Sequence, residues 1–125
     1  MGYRSDVRCI IYANKEEDFP AVKLWLECNY HPVADDPLLF EEEENNGVKM
    51  MVYSEESIKW YGSYPSITEF ERMLDAFDEA FTADGCLISG CFQFVRIGED
   101  LTDIEEKVCN CDDYLLSVNR YIDWL

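Results

Sequence analysis

Ile67, Phe70, Leu74, Phe77 and Phe81 fall at steps of three and four. Only one side of a helix can carry that spacing, with Glu69, Arg72, Asp75 and Glu79 on the other side. Pro65 suits the first turn, and Gly85 stands where a helix ends. A second helical pattern runs through Phe19, Val22, Trp25, Leu26 and Tyr30. The acids Glu16, Glu17 and Asp18 precede it, Asp18 as the expected N-cap, and His31-Pro32 follows. Everything else of regular character has the period of a strand. Such a chain must lay two amphipathic helices on a sheet.

The strands are expected at 6–14, 38–43, 48–53, 57–61, 86–97 and 114–124. Asp6–Asn14 alternates Val7, Cys9, Ile11 against Arg8, Ile10, Tyr12. Asn45-Asn46-Gly47 between 38–43 and 48–53 is a hairpin signal, because those residues accept positive φ. Ser54-Glu55-Glu56 reads as a short turn before a further strand. Cys86–Ile97 is apolar on both faces, as at a sheet centre. Gly98–Asp113 reads as an acidic loop with one helical turn at Asp103–Lys107. Tyr114, Leu116, Val118, Ile122 and Trp124 alternate with Ser117, Asn119, Tyr121 and Asp123, the mark of a half-buried strand. The order β-α-β-β-β-α-β-β predicts an α+β two-layer sandwich with a mainly antiparallel sheet and both helices on one face. A ferredoxin-like core with an extra hairpin fits it. Residues 1–125 contain no repeat and no linker, so one domain is expected.

Twenty-seven Asp and Glu face ten Lys and Arg, a net charge of −17. A soluble domain of this size carries a magnitude of roughly 2–8. Such a field repels nucleic acid and anionic membrane and attracts basic surfaces. With 48% hydrophobic residues the chain is no disordered acidic tail. No stretch reaches the apolar length of a membrane span, and the first residues lack a secretory core, so a cytosolic protein is expected. There, six cysteines read as thiols. Cys9, Cys28, Cys86 and Cys91 are expected as small buried hydrophobes.

The motifs with chemical content are few. The acids cluster at Asp35-Asp36, Glu41-Glu42-Glu43-Glu44, Glu55-Glu56, Glu99-Asp100 with Asp103, and Glu105-Glu106. Carboxylates in rows can imitate the phosphates of nucleic acid, which lie at about 1.7 Å of duplex axis per charge. They can equally serve solubility, and on an edge strand they discourage edge pairing. In Glu41–Glu44 alternation allows only two side chains per face, with Glu42 and Glu44 expected outward. Tyr61 and Tyr64 are expected exposed, as interface anchors, and Trp60 in the core. Cys109-Asn110-Cys111 is half a zinc motif, lacking a partner pair unless Cys86, Cys91 or His31 supplies it. His31 is the sole histidine, and no phosphate loop or nucleophile elbow occurs. Asp100–Glu106 lacks the glycine and spacing of a calcium loop.

Four segments, Met1-Gly2-Tyr3-Arg4-Ser5-Asp6-Val7, Lys59-Trp60-Tyr61-Gly62-Ser63-Tyr64-Pro65, Phe94-Val95-Arg96-Ile97-Gly98-Glu99-Asp100 and Asp103-Ile104-Glu105-Glu106, together resemble a loose group of small acidic proteins of bacteriophages. Cys109-Asn110-Cys111 departs from that pattern. The resemblance implies an accessory protein of the bacterial host cytoplasm, of a kind that often inhibits host defences. The expectation is therefore a non-enzymatic inhibitor of a nucleic-acid-handling protein, of anti-CRISPR or anti-restriction type. It would need no cofactor and would bind a basic groove rather than nucleic acid or membrane. The partner-binding residues are expected among Asp35, Asp36, Glu41, Glu42, Glu43, Glu44, Glu55, Glu56, Tyr61, Tyr64, Glu99, Asp100, Asp103, Glu105 and Glu106. The alternative is a small binding or scaffold module, homodimeric through an open sheet edge, whose acidity keeps it soluble.

Overall fold

The computed structural model describes residues 2–100, 102–112, 115–118 and 122–124. Strand β1 (Ser5–Ala13) leads to helix α1 (Phe19–Asn29), then to the hairpin of β2 (Glu41–Asn45) and β3 (Val48–Ile58). Helix α2 (Pro65–Phe81), β4 (Gly90–Gly98), β5 (Ile104–Cys109) and a small hairpin of β6 (Leu116–Val118) and β7 (Ile122–Trp124) follow. The main sheet has the order β2-β3-β1-β4-β5, every neighbour antiparallel. Its first four strands and two helices form the ferredoxin-like double split β-α-β, and β5 extends it. The fold is the expected α+β sandwich.

Both helices cover one face. From β1, Val7, Cys9, Ile11 and Ala13 point toward Phe19, Val22 and Leu26 of α1 and Ile67, Phe70, Met73, Leu74, Phe77 and Phe81 of α2. Phe70 is fully buried and meets the rings of Tyr30, Phe40, Tyr53, Trp60 and Phe94. Deleting one such ring costs about 3–5 kcal/mol. The opposite face carries Ile10, Tyr12, Met50, Val52, Cys91, Val95 and Ile97, and the β6–β7 hairpin packs on it through Leu116, Ile122 and Trp124. Gln93, buried there, accepts the N–H groups of Leu115 and Leu116 at 3.1 Å each and donates to the Leu116 carbonyl at 3.2 Å.

The β2–β3 turn is Asn46-Gly47 with φ of 53° and 80°, the positive pair a two-residue hairpin demands. Three expected elements differ. The strand expected at 57–61 and the turn at 54–56 do not exist as such: β3 runs unbroken to Ile58 because Ser54 and Glu55 pair with Arg8 and Val7 of β1. A register shift between Ser5 and Val7 absorbs the irregularity there. The loop at 98–113, with its helical turn, is instead a tight connection into β5. Arg96 neutralises Glu105 opposite it, so a charged segment can close the sheet. The single strand at 114–124 is a hairpin among its described residues. Asp113, Tyr114, Asn119 and Tyr121 lie outside them.

Asp18 precedes α1, but its carboxylate does not cap it. Oδ2 accepts the N–H and hydroxyl of Ser89, both at 2.9 Å, which holds the acid below its ordinary pKa. Cys9 and Cys91 are buried as expected, whereas Cys28 and Cys86 are exposed, on the outer side of α1 and in the loop before β4. No helix among the described residues is long and apolar enough to cross a membrane.

Candidate protein-binding surface

The acidic clusters separate into two groups by what surrounds them. The first lies along the β2 edge and the far end of β3. Glu41, Glu42, Glu43 and Glu44 are all exposed, and the pleat divides them two and two. Glu42 and Glu44 lie opposite Met51 and Lys49, on the helix side. Glu42 does not stand free: its Oε1 meets Lys23 Nζ of α1 at 2.7 Å, which lowers its pKa. Glu41 and Glu43 lie opposite Val52 and Met50, on the other side.

Glu41 and Glu43 line a shallow depression of about 250 Å³ with Leu39, Tyr53 and Glu55. Glu55 also lines a neighbouring depression of about 280 Å³, with Arg4, Asp36, Glu56, Lys59 and Tyr64. The two hollows therefore adjoin. The Tyr53 hydroxyl donates to Glu55 Oε2 at 2.9 Å and orients that carboxylate. Burial, then the Glu55 charge, pushes the Tyr53 phenol well up, so it stays a donor. Ser66 donates to Asp36 Oδ2 at 3.0 Å. Asp36, Glu41, Glu43, Glu55 and Glu56 form no ion pair among the described residues. Asp35 is exposed in the turn beside Asp36.

The second group surrounds Arg96, whose side chain is mostly covered. Its Nη2 and Nη1 hold Asp103 Oδ1 and Oδ2 at 2.9 and 3.1 Å, and its Nε holds Glu105 Oε1 at 3.0 Å. The Tyr3 hydroxyl donates to Asp103 Oδ2 at 2.6 Å and accepts the Asp100 N–H at 2.9 Å. Asp103 is held below its ordinary pKa by Arg96 and then by Tyr3. Glu99 accepts the Arg4 N–H at 3.0 Å, and Asp100 Oδ1 accepts from Thr102. Lys107 Nζ stands 3.6 Å from Glu71 and from Glu105. Of the five acids expected here as partner contacts, Glu99, Asp100, Asp103 and Glu105 spend their oxygens inside the fold. Glu106 is exposed, opposite Val95 on the hairpin side of β5.

The aromatic expectations divide too. Tyr64 is exposed, but Tyr61 is half-buried: its hydroxyl accepts the Tyr3 N–H at 2.7 Å, and its ring meets Tyr64 at 5.1 Å. Trp60 joins the core through Phe70 and Phe94, its indole N–H buried and without a hydrogen-bond partner. Leu39, 59% exposed between buried Leu38 and half-buried Phe40, is an apolar contact that sequence reasoning missed. The signal was available, since in an apolar triplet before a strand the middle residue faces outward. Arg4 and Lys59 in the second hollow had no such signal. His31 is exposed, and its backbone N–H donates to Glu69 Oε2 at 3.0 Å. No three His, Cys, Asp or Glu converge as metal ligands among the described residues.

Comparison with known protein families, characterised proteins and solved structures gives no match to this chain.

Proposed function

We propose that the protein acts by binding rather than catalysis. It is an acidic ligand for the basic groove of a nucleic-acid-handling host protein, which it inhibits by occupying the path of the nucleic acid. The observation that carries this reading is the continuous acidic rim. Asp36, Glu41, Glu43, Glu55 and Glu56 surround two adjoining hollows that share Glu55, with Leu39 and Tyr64 exposed beside them. Carboxylates free of cations supply steering and displace counterions as phosphates do. An exposed leucine and tyrosine supply the desolvated contacts that fix a complex. The resemblance to phage accessory proteins agrees with a host target in the bacterial cytoplasm, of anti-CRISPR or anti-restriction type.

The test is capture of partners from bacterial lysate on the immobilised protein, eluted by salt and, separately, by duplex DNA. A nuclease or other DNA-binding protein released by both is expected. It should be lost when Glu41, Glu43, Glu55 and Glu56 are changed together to Lys, and kept when Glu16 and Glu17 are. A partner indifferent to salt and DNA overturns the proposal.

The open edge of β5 favours a second reading. Ile104 and Val108 lie on one side of that strand, 41% and 44% exposed. A homodimer joined there would sediment as twice the monomer mass and dissociate on Val108→Lys.

A further inference from the structure

Two thiols meet at the start of β4 because of one left-handed residue. Cys91 follows Gly90 and lies opposite Tyr12 of β1. Cys109 closes β5 opposite Phe92. The next residue, Asn110, has φ of 56°, a region that few residues besides Gly and Asn adopt readily. Its side-chain amide donates to the carbonyls of Phe81 and Gly90 at 3.0 and 3.3 Å, and its own carbonyl accepts Asn14 Nδ2 at 2.7 Å. Clipped at three points, the turn folds Cys111 back over β4. Cys111 Sγ donates to the Phe92 carbonyl at 3.0 Å, and Cys91 Sγ to the Tyr12 carbonyl at 3.5 Å. Cys91, Tyr12 and Cys111 belong to one cluster on that face of the sheet, and the two sulfurs act on each other electrostatically.

We propose that Cys91 and Cys111 are a redox pair, closed to a disulfide by a hydroperoxide and reopened by a thiol reductant. The Cys111 thiolate attacks one peroxide oxygen, the O–O bond breaks, and the departing oxygen takes a proton and leaves as water or an alcohol. Cys111 is then a sulfenic acid. The Cys91 sulfur attacks the Cys111 sulfur, and its proton leaves with the sulfenic hydroxyl as water. Two electrons pass from the two thiols to the peroxide. The environment assigns the roles. Cys111 is half-buried, so a small peroxide has access to it. The neighbouring Cys91, then Tyr12, holds its pKa down to about 7, against burial and the Asp112 charge. Cys91 is buried and pushed far up by the Cys111 sulfur, so it keeps its proton while Cys111 is the thiolate, and that hold ends once Cys111 is a sulfenic acid. Burial pushes Cys9 up and Cys109 up to about 12, so neither competes. The bond would tie the segment leading into β6–β7 directly to β4, close to the Gln93 clasp, and so fasten that hairpin over its apolar face.

The test uses the folded wild-type protein. Hydrogen peroxide is added, free thiols are blocked, and the protein is digested without reductant for mass spectrometry. Peptides containing Cys91 and Cys111 should appear joined within one molecule, separable by dithiothreitol, and formed faster than oxidation of exposed Cys28 or Cys86. Cys91→Ser should instead accumulate a dimedone-trapped sulfenic acid at Cys111. Amides of 115–118 should exchange more slowly in the oxidised protein. Irreversible oxidation of Cys111 with Cys91 still free, or a disulfide between other cysteines, overturns the pair. Unchanged exchange at 115–118 overturns the fastening.

Discussion

At one end of the sheet, Asp103 and Glu105 share a single guanidinium while Tyr3 and Arg4 take up the oxygens of Asp103 and Glu99. Along the β2 edge and the end of β3, Glu41, Glu43 and Glu56 have no ion-pair partner among the described residues. Both regions are dense in carboxylates, and on the page of the sequence they look alike. The difference is one covered arginine. Where Arg96 stands, acids become struts that close β5 and the first residues of β1 onto β4. Along β2 and the end of β3, Arg4 and Lys59 stand nearby but form no ion pair with these acids among the described residues, so the acids cost the fold repulsion. Acid density therefore does not mark an interaction surface. Under the proposed function, only acids without internal ion pairs would.

The sharpest way to break this contrast is Arg96→Met. It leaves Asp103 without its cation and Glu105 with Lys107 alone at 3.6 Å, and it should lower stability by on the order of 2 kcal/mol, between the values for exposed and buried pairs. The urea midpoint measures it, and an unchanged midpoint would remove the structural role given to that cluster. Next comes pH. Asp18, Glu69 and Asp103 are held below their ordinary values, by Ser89, by Arg72 and by Arg96 respectively. A carboxylate depressed in the folded state contributes stability that is full above its unfolded pKa, roughly 4, and fades as pH falls through the folded value. Melting temperature should thus drop on the acid side, less steeply in Asp103→Asn.

Smaller effects come from the free acids. Changing Glu41, Glu43 and Glu56 together to Gln should raise stability by a few tenths of a kcal/mol while weakening partner capture. Chemical denaturation and the capture assay read the two signs separately, and a loss of stability would mean these acids have internal partners after all. Salt gives the smallest shift. Added NaCl should raise the melting temperature of the wild type by screening its repulsion, and raise that of the triple variant less.

The helices, the hairpin at Asn46-Gly47 and the central character of β4 were legible because each has a local cause: spacing, positive φ, or apolar residues on both faces. β5 was not. Glu105, Glu106 and Lys107 have neither apolar alternation nor β-branching, and what makes them a strand is their pairing with Arg96, Val95 and Phe94 of β4, where Arg96 neutralises Glu105. The run through Ser54-Glu55-Glu56 failed for the same kind of reason, since three polar residues read as a turn until Arg8 and Val7 of β1 pair with Ser54 and Glu55. At the candidate surface the acids were named, but which of them are free depends on a cation 7 or more residues away, as for Arg96 and Asp103. Cys28 and Cys86, taken for core residues from their apolar neighbours, point outward because α1 turns only one stripe inward and residues 86–89 lie outside any element.

Strand β1 sits between β3 and β4, so a strand translated before either of them is the one that both halves of the sheet must embrace. Its partners Val48–Ile58 and Gly90–Gly98 are translated much later, and the hairpin that covers its second face later still. Until then Ile10, Tyr12 and Val52 are bare on a nascent chain, and the sheet cannot close by local contacts alone. The sheet should therefore close only after β4 and the β6–β7 hairpin have been made, with the abundant acids keeping neighbouring nascent copies apart until then.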